Sequence, residues 1–386
     1  MEYKKFTATS IFNGHEFLVD EQVVVTDMRG SIVDVISHNE AGDGVEHLDG
    51  ILSPGFINCH CHLELSHMKG LIPEATGLGI FVESIMKQRH VATEIASAAI
   101  QQAEDEMLNG GIVAVGDICN TASTIPQKIK GRIWYHNFIE ATGFNPEIAG
   151  ERFKRCVDFF TAFAQLYSIP IESNSIVPHA PYSVSNELWQ KIINFPGNHL
   201  LTIHNQETEA ENEWFRSKTG EFEQLFQRLK MDVTSFEAPG FPSLHSCLPK
   251  FLPNQSVIFV HNVATSLKDL QFADTFPIKK YWCFCPNANL YISGQLPVID
   301  QFINENCTIV LGTDSLASNR RLSILSEINT IRKHFPNIAL DQILQWATIN
   351  GAKALQMEQL LGSFEKGKRP GLLLLEDDLS SVRRLI

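Results

Sequence analysis

One stretch of the sequence decides the fold, and it reads PGFINCHCHLE over residues 54–64. The run is largely apolar at its start and then carries two histidines one residue apart. Because side chains alternate between the two faces of a strand, His60 and His62 point the same way if the run is a strand. Two adjacent imidazoles can hold one cation in common, since metal ligation is a common role of this side chain. The alternative is two core or surface histidines that share a face by chance.

The composition limits the class of protein. The chain has 386 residues, of which 44% are hydrophobic and 19% charged, as is typical of a globular protein. The net charge of −13 argues against partners such as nucleic acid or an anionic membrane surface. The sequence has neither an apolar run of about 18 residues nor a signal-peptide core, which predicts no membrane span and a cytoplasmic location. The scattered cysteines are typical of reduced thiols.

Beyond residue 53, short apolar runs alternate with amphipathic helical stretches, which indicates a parallel sheet with crossover helices. One such stretch, residues 80–108, predicts a single helix. The apolar runs end near His60, Gly116, Glu140, His179, His204, His261, Cys285 and Asp314. Eight strands that alternate with helices predict an α/β fold, namely a (β/α)8 TIM-type barrel over residues 53–361. In such barrels the active site lies at the carboxyl ends of the strands.

Both chain ends depart from this pattern. Residues 1–52 form short alternating runs broken by Gly and Asp, and residues 371–376 form another strand-like run after a Pro-Gly turn. We therefore predict a small β-sandwich domain built from residues 1–52 and 362–386, with the barrel inserted between them. A proline-rich segment, residues 237–253, interrupts the barrel pattern. It is either an ordered loop that caps a pocket or a plain surface connection.

The predicted strand ends carry side chains that can do chemistry. His60 and His62 follow the first strand, and His204, His261 and Asp314 end later ones. Imidazoles together with one carboxylate make a nitrogen and oxygen donor set, which suits Zn²⁺ or Fe²⁺ and is poor for Ca²⁺. Each histidine alone has a structural explanation. Their convergence from independent strands predicts a metal site.

A series of ordered motifs gives the chain a resemblance to a known family. The motifs are HCH at 60–62, VPHAPY at 177–182, HNQET at 204–208, CPNAN at 285–289, GTDSLASN at 312–319, ATINGA at 347–352 and GSFEKGK at 362–368. With them the chain resembles the amidohydrolase superfamily, in its branch of metal-dependent deaminases and chlorohydrolases. The resemblance covers nearly the whole chain. It departs at residues 369–371, RPG, where the family usually has Ala-Asp, and this departure lies in the predicted β-domain.

The resemblance implies one divalent metal as cofactor, with Zn²⁺ expected first and Fe²⁺ second. Its ligands would be His60, His62, His204 and Asp314. The fourth strand ends in His179 and offers no lysine. The carboxylated lysine that bridges two metals in some relatives therefore has no counterpart in this sequence.

The resemblance also implies a hydrolytic mechanism. A water activated by the metal attacks a carbon that bears an amino group, with Asp314 accepting the proton of the water and His261 orienting it. Glu207 would protonate the ring nitrogen and then the leaving ammonia, as a general acid and base. The alternative for Glu207 is a solvated carboxylate at a helix start, because further acidic residues follow it in the sequence.

The expected substrate is a small molecule, an aminated purine nucleoside or a related heterocycle. Residues 62–66, HLELS, resemble the first-strand segment of aminodeoxyfutalosine deaminases. The candidate substrate contacts are His179, Glu64, His67 and Asn289. Glu64 has the alternative of bracing a metal-binding histidine, and Asn289 that of capping a helix. A homodimer is the default expectation for an enzyme of this kind.

Other functions stay open at this point. Relatives with the same scaffold hydrolyse amides, cyclic amides or carbon–halogen bonds, and those reactions are the first alternative to deamination. A non-catalytic scaffold is the second, and the retention of every implied ligand and of Glu207 argues against it. A different zinc-deaminase fold pairs H-x-E with P-C-x-x-C. Only the first half is present here, as His62-Leu63-Glu64.

Overall fold

The computed structural model describes residues 2–166 and 173–386. The strands are β1 (Tyr3–Ile11), β2 (Gln22–Asp27), β3 (Ile32–Ser37), β4 (Val45–Pro54), β5 (Phe56–Cys61), β6 (Ile112–Cys119), β7 (Trp134–Ala141), β8 (Asn174–Pro178), β9 (Leu200–Asn205), β10 (Ser256–His261), β11 (Lys279–Phe284), β12 (Ile309–Leu311), β13 (Leu372–Leu375) and β14 (Val382–Arg384). The helices are α1 (His38–Ala41), α2 (Leu78–Gln88), α3 (Thr93–Asn109), α4 (Ile125–Lys128), α5 (Ala149–Leu166), α6 (Asn186–Ile193), α7 (Glu209–Ser217), α8 (Glu221–Arg228), α9 (Ser243–Cys247), α10 (Leu267–Asp274), α11 (Pro286–Ser293), α12 (Ile299–Asn304), α13 (Ile324–His334), α14 (Leu340–Ala347) and α15 (Ile349–Ala354).

The strands β5 to β12 form two parallel four-stranded sheets, with the orders β5-β6-β7-β8 and β9-β10-β11-β12. Every residue of β5, β6, β8 and β9 is buried. Burial on both faces explains why these strands read as apolar runs rather than as alternating patterns. The structure has a strand, β5 to β12, at each strand candidate that the sequence offers between residues 53 and 314, so these candidates are confirmed.

Backbone hydrogen bonds join the two sheets at both seams. The N–H of His204 on β9 donates to the carbonyl oxygen of His179, just after β8, at 2.9 Å. At the other seam the N–H groups of Thr313 and Asp314 both donate to the carbonyl oxygen of His60, at 3.0 Å each. The carboxyl ends of the strands are thereby brought to one region, and the side chains that end them face a common space.

A six-stranded sheet combines the two ends of the chain, in the order β14-β13-β4-β1-β2-β3. β13 pairs antiparallel with β4, and β1 pairs parallel with β4. The apolar residues of this sheet pack together with Phe364 from the C-terminal segment, and the cluster includes Phe6, Val24, Leu52 and Leu372. Strands from both ends of the chain therefore pair within one sheet.

The single helix predicted over residues 80–108 is wrong. The structure has two helices, because α2 ends at Gln88 and α3 begins at Thr93. Between them Arg89 turns its guanidinium to the buried carboxylate of Glu64, with Nη2 2.9 Å from Oε1. A tertiary ion pair at this point overrides the helical periodicity of the sequence, as tertiary context often does.

The helix α3 buries only one face. Ile95 is 58% exposed, whereas Ile100, Ala103 and Met107 are buried against the sheets.

Within residues 2–166 and 173–386, no helix is both long enough and apolar enough to span a membrane.

Candidate metal-dependent active site

Three imidazoles meet where β5 and β9 end. His60 lies on β5, His62 follows it directly, and His204 lies on β9. One ring nitrogen from each lies within 4.8 Å of the others, and all three residues are buried. The two Nε2 atoms of His62 and His204 are 3.3 Å apart. The strand alternation that puts His60 and His62 on one face thus leads to a three-nitrogen cluster.

A carboxylate completes this cluster. Oδ1 of Asp314 lies 3.6 Å from Nε2 of His60 and 3.5 Å from Nε2 of His62, and its Oδ2 accepts a hydrogen bond from the hydroxyl of Ser318. Burial alone would raise the pKa of the Asp314 carboxyl. The neighbouring His62 and His261 and the bond from Ser318 outweigh it, so that the net pKa is lowered. Asp314 is therefore an anion that faces the imidazoles.

The hydrogen bond of His204 fixes which of its nitrogens is free. Nδ1 lies 2.8 Å from the carbonyl oxygen of His179, which can only accept, so Nδ1 carries the proton. In the neutral ring Nε2 then keeps its lone pair, and this atom is the one that faces His62. A backbone carbonyl that orients a histidine in this way is a common support of a metal ligand.

The four donor atoms fit a divalent cation. His60 is fully buried, yet neither of its ring nitrogens has a hydrogen-bond partner among the described residues. An unpaired buried polar group costs about 1–3 kcal/mol, and a cation would supply the missing partner. Burial, aided by His204 and His179, also holds the pKa of His60 well below its ordinary value, so the ring is neutral. Neutral imidazoles with one carboxylate suit Zn²⁺ or Fe²⁺.

A second group of donors lies beside the first. Glu140, His179 and His204 also bring one ligand atom each within 4.8 Å of one another. Oε1 of Glu140 lies 3.7 Å from Nδ1 of His204. Because this nitrogen already donates to a carbonyl oxygen, it has no lone pair for a second cation. The geometry therefore favours one metal at the Nε2 side of His204.

Glu207 and His261 face each other next to the cluster. Nε2 of His261 lies 3.7 Å from Oε1 of Glu207. Burial raises the pKa of Glu207 well above its ordinary value, and the nearby charges of Asp314 and Glu211 raise it further. A carboxyl group that is protonated near neutral pH can act as an acid, which a solvated carboxylate at a helix start cannot.

Asn289 supports His261 from α11, the helix that follows the next strand. Its Nδ2 lies 3.0 Å from Nδ1 of His261, and both side chains are buried. An amide that donates to Nδ1 leaves the proton of the neutral imidazole on Nε2. His261 then directs an N–H donor toward Glu207 and the space beside it. The pKa of His261 is well below its ordinary value because the ring is buried.

The backbone is unusual at two of these residues. His261 has φ = 74° and Asp314 has φ = 56°, which is the left-handed region that non-glycine residues seldom adopt. Such conformations cost on the order of 1–3 kcal/mol each and cluster at functional sites. The surrounding hydrogen bonds hold both side chains at their strand ends in spite of this cost.

A cavity of about 530 Å³ opens over this cluster. We call its two sides the polar wall and the apolar wall. The polar wall consists of His62, His179, His204, Glu207, His261 and Asp314. The apolar wall includes Phe81, Ile85, Met86, Phe144, Leu225 and Phe226, from α2, α8 and the segment after β7. An apolar cavity with a few converging polar groups is typical of a small-molecule site.

A smaller cavity of about 190 Å³ adjoins the first. Both are lined by Arg89, Asn120, Glu140 and Arg152, and Arg155 is added in the smaller one. Guanidinium groups are well suited to bind carboxylates and phosphates. The sequence pattern did not single out these arginines, because they come from the break between two helices and from α5.

The candidate substrate contacts fall into two groups. His179 lines the main cavity, and burial lowers its pKa to about 4, with Arg89 adding to this. The remaining candidates, Glu64, His67 and Asn289, are not among the described residues that line it. Asn289 contacts His261 instead, as described above.

Glu64 has a full set of partners of its own. Besides Arg89, it accepts hydrogen bonds from the N–H groups of Asn120 and Thr121 and from the hydroxyl of Thr121. Asn120 in turn donates to Glu140, the carboxylate beside His204. Glu140 is not among the site residues predicted from the sequence. Its place near the end of β7 is nevertheless typical of a functional residue in such a fold.

The proline-rich segment 237–253 contains α9, and none of its residues is among those that line the main cavity. Leu225, Phe226, Leu229, Met231 and Asp232, from α8 and the residues after it, lie there instead. The segment therefore does not line the main cavity, and its Leu244, Cys247 and Leu248 are buried in the main hydrophobic core instead.

The cluster, its carboxylate and the cavity form a candidate site for a divalent metal. The family model described as "Amidohydrolase family" matches residues 51–384. The chain belongs to the amidohydrolase family, and it is an enzyme of the class that hydrolyses carbon–nitrogen bonds.

Two curated relatives are deaminases. An adenosine deaminase of Helicobacter pylori is 27% identical over 332 residues, which are 84% of this chain and 78% of the relative. An aminodeoxyfutalosine deaminase of a Nitratiruptor species is 23% identical over 387 residues, with 95% and 91% covered. The similarity covers more than three quarters of each relative.

Two solved structures are similar in fold. Helicobacter pylori aminofutalosine deaminase in complex with methylthio-coformycin has a TM-score of 0.83 and 25% identity, over 97% of this chain and 92% of that one. An adenosine deaminase from Xanthomonas campestris with bound zinc has a TM-score of 0.71 and 20% identity, over 96% and 84%. The likeness gives the chain an α/β fold with a TIM-type barrel.

Proposed function

We propose that the protein catalyses the hydrolytic deamination of an aminated purine nucleoside or a related heterocycle. The observation that carries this proposal is the buried Glu207, whose Oε1 lies 3.7 Å from Nε2 of His261, on the same cavity wall as the imidazole cluster. Such an acid has a use when a ring nitrogen must be protonated and ammonia must leave. The deaminases among the relatives support the same reaction class.

We propose one divalent cation, Zn²⁺ first, held by His60, His62, His204 and Asp314. When bound, it would lower the pKa of a nearby water from 15.7 to about 7. The zinc in the related adenosine deaminase structure and the unpaired ring nitrogens of His60 support this choice.

The residues of the polar wall then have different roles in the reaction. Asp314, an anion 3.5 Å from Nε2 of His62, accepts a proton from the attacking water. His261 orients that water through its Nε2–H, and Asn289 holds the ring in this tautomer. Glu207 donates its proton to the ring nitrogen of the substrate, takes the remaining proton of the hydroxyl group that the water has added, and passes it to the leaving amino group. The proton that Asp314 accepted then returns to Glu207 through solvent. General acid and base catalysis of this kind contributes about 10²–10⁴-fold.

For the substrate, we propose an aminated nucleoside with a substituent that reaches the smaller cavity. The apolar wall suits a purine ring and a ribose with an apolar extension. Arg89 and Arg152 then favour a substituent that bears a carboxylate, as aminodeoxyfutalosine does. We propose His179 as a direct contact, since its ring lines the cavity.

For the architecture, we propose that β5 to β12 close into an eight-stranded (β/α)8 barrel over residues 53–361. The backbone hydrogen bonds at both seams support closure. Residues 1–52 and 362–386 then form the small β-sandwich domain. A homodimer is the expected assembly, with a small molecule as the one ligand besides the metal.

Ammonia release tests the reaction. The zinc-loaded protein is assayed with adenosine, 5-methylthioadenosine, S-adenosylhomocysteine, aminodeoxyfutalosine and guanine. We expect stoichiometric ammonia from at least one compound, and fastest turnover with a carboxylate-bearing nucleoside. Zinc-loaded Glu207→Gln is the matched control and should release almost none. Silence across this panel, from a protein with one zinc per chain, would refute deamination of these compounds and point to amide or carbon–halogen hydrolysis.

A further inference from the structure

A second buried charge pair lies under the candidate metal site, and the reaction proposed above does not use it. Asp117 on β6 and Lys128 at the end of α4 are both fully buried at the side chain, with Nζ 2.5 Å from Oδ2. Nζ also donates to Oδ1 of Asn137 at 2.7 Å. It lies over the rings of Tyr135 and Phe163, 4.8 and 5.1 Å from their centroids.

The other oxygen of Asp117 leads to the metal site. Oδ1 accepts the backbone N–H of Leu63 at 2.8 Å, and Leu63 directly follows His62. Leu63 is also the first residue of a 3₁₀ helix, Leu63–Met68, whose N-cap residue is His62. No side-chain cap from His62 satisfies this helix start. A carboxylate from a different strand takes that place, where helix dipole and free N–H groups favour an anion.

Stability alone does not explain a charge pair in this position. Taking two charges out of water is costly, and apolar side chains of similar size often replace a buried ion pair without loss of stability. An apolar pair, however, would leave the N–H of Leu63 without its acceptor. Asp117 supplies a hydrogen-bond acceptor at a fixed place, and Lys128 orients the carboxylate by donating to its other oxygen.

We propose that Asp117 is a positioning residue that fixes the chain at His62 and so sets the affinity of the metal site, while Lys128 pairs with its buried carboxylate. Asp117 holds the N–H that follows the ligand, and Lys128 holds Asp117. Neither residue touches the substrate or the cation. The inference rests on the proposed function only in taking His62 as a metal ligand, and it is independent of which substrate is hydrolysed.

Two double variants separate positioning from charge burial. Asp117→Asn with Lys128→Met removes both charges and keeps an oxygen acceptor for the N–H of Leu63. Asp117→Leu with Lys128→Met removes both charges and the acceptor. Each full-length protein is stripped of metal, and its zinc affinity is measured by competition with a chromogenic chelator. Thermal unfolding of the metal-free forms is measured alongside.

We expect the leucine variant to bind zinc about tenfold more weakly than the asparagine variant, in line with the loss of other supports of metal ligands. The asparagine variant should stay close to the unaltered protein. Hydrogen exchange should show faster exchange over residues 63–68 in the leucine variant alone. If that variant does not fold, Asp117→Ala with Lys128→Met takes its place.

Equal zinc affinity in two folded double variants would overturn the positioning role and leave the proposed function intact. A parallel loss in both variants would assign the effect to the charges and not to the acceptor, which also overturns the inference. Absence of zinc binding by the unaltered protein would overturn both this inference and the proposed metal site.

Discussion

The polar and the apolar wall of the cavity are built in different ways. The polar wall comes from strand ends, and its side chains are held by hydrogen bonds with residues that follow neighbouring strands, such as those between His204 and His179 and between His261 and Asn289. The apolar wall comes from helices and connections outside the sheets, and Met86 on it is 49% exposed. The difference suggests a division in which the strand ends fix the reaction and the outer helices select the substrate. Substitutions on each wall test this division.

The largest effect is expected at a metal ligand. His204→Ala should lose most of the bound zinc, measured by elemental analysis, and turnover should fall by at least about 10³-fold because the metal contributes several kcal/mol. His199→Ala is the matched control, since His199 is exposed at the opposite end of the same strand. If His204→Ala retains one zinc per chain, the proposed ligand set is wrong.

The next effect is expected at the general acid. Glu207→Gln should keep its zinc and lose about 10²–10⁴-fold in kcat, because the amide cannot donate and regain the proton. Glu209→Gln serves as control, since Glu209 is 64% exposed at its side chain and pairs with Arg216 on the surface. Full activity of a zinc-loaded Glu207→Gln protein would remove Glu207 from the mechanism.

Arg89 lies at the edge between the two walls, where the smaller cavity begins. Arg89→Met should raise KM for a carboxylate-bearing nucleoside about tenfold, the range of a hydrogen bond to a charged group, with KM for adenosine nearly unchanged. Arg216→Met, an exposed arginine far from the cavity lining, should change neither value. An equal rise in KM for both substrates would argue for a general disturbance of the helix break instead of charge recognition.

The smallest effect is expected on the apolar wall. Met86→Ala should raise KM about fivefold and leave kcat unchanged, since it removes about 1 kcal/mol of apolar contact with the substrate. Met28→Ala on the terminal sheet is the control, as Met28 is exposed to a similar degree. A large fall in kcat for Met86→Ala would contradict the division between the two walls.

The side chains of the polar wall could be predicted from the sequence, whereas most of the contacts around them could not. A motif such as HCH at 60–62 places its own side chains, because strand geometry fixes which face each residue takes. Strand ends in a parallel barrel meet on one side, so His204 and Asp314 could be brought together without a structure. These residues needed only local rules and a count of strands.

Pairs between distant elements follow no such rule. Nothing in the sequence links Arg89 to Glu64 or Lys128 to Asp117, since each pair depends on the path of a connection between elements. The wrong prediction of one helix over 80–108 has the same origin, because the ion pair of Arg89 ends the periodic stretch. The contact between Asn289 and His261 also joins two separate elements, so the sequence alone does not predict it.

The terminal sheet has a consequence for the synthesis of the chain. β4 is paired on one side by β1 and on the other by β13, near the C-terminus. While the ribosome is still translating the barrel, that second edge of β4 has no partner, and a bare strand edge invites pairing with other chains. The cost of closing so long a loop grows only logarithmically with its length, so the late arrival of β13 is tolerable at equilibrium. The nascent protein therefore carries an open edge that its final residues close, and loss of those residues would expose a site of self-association.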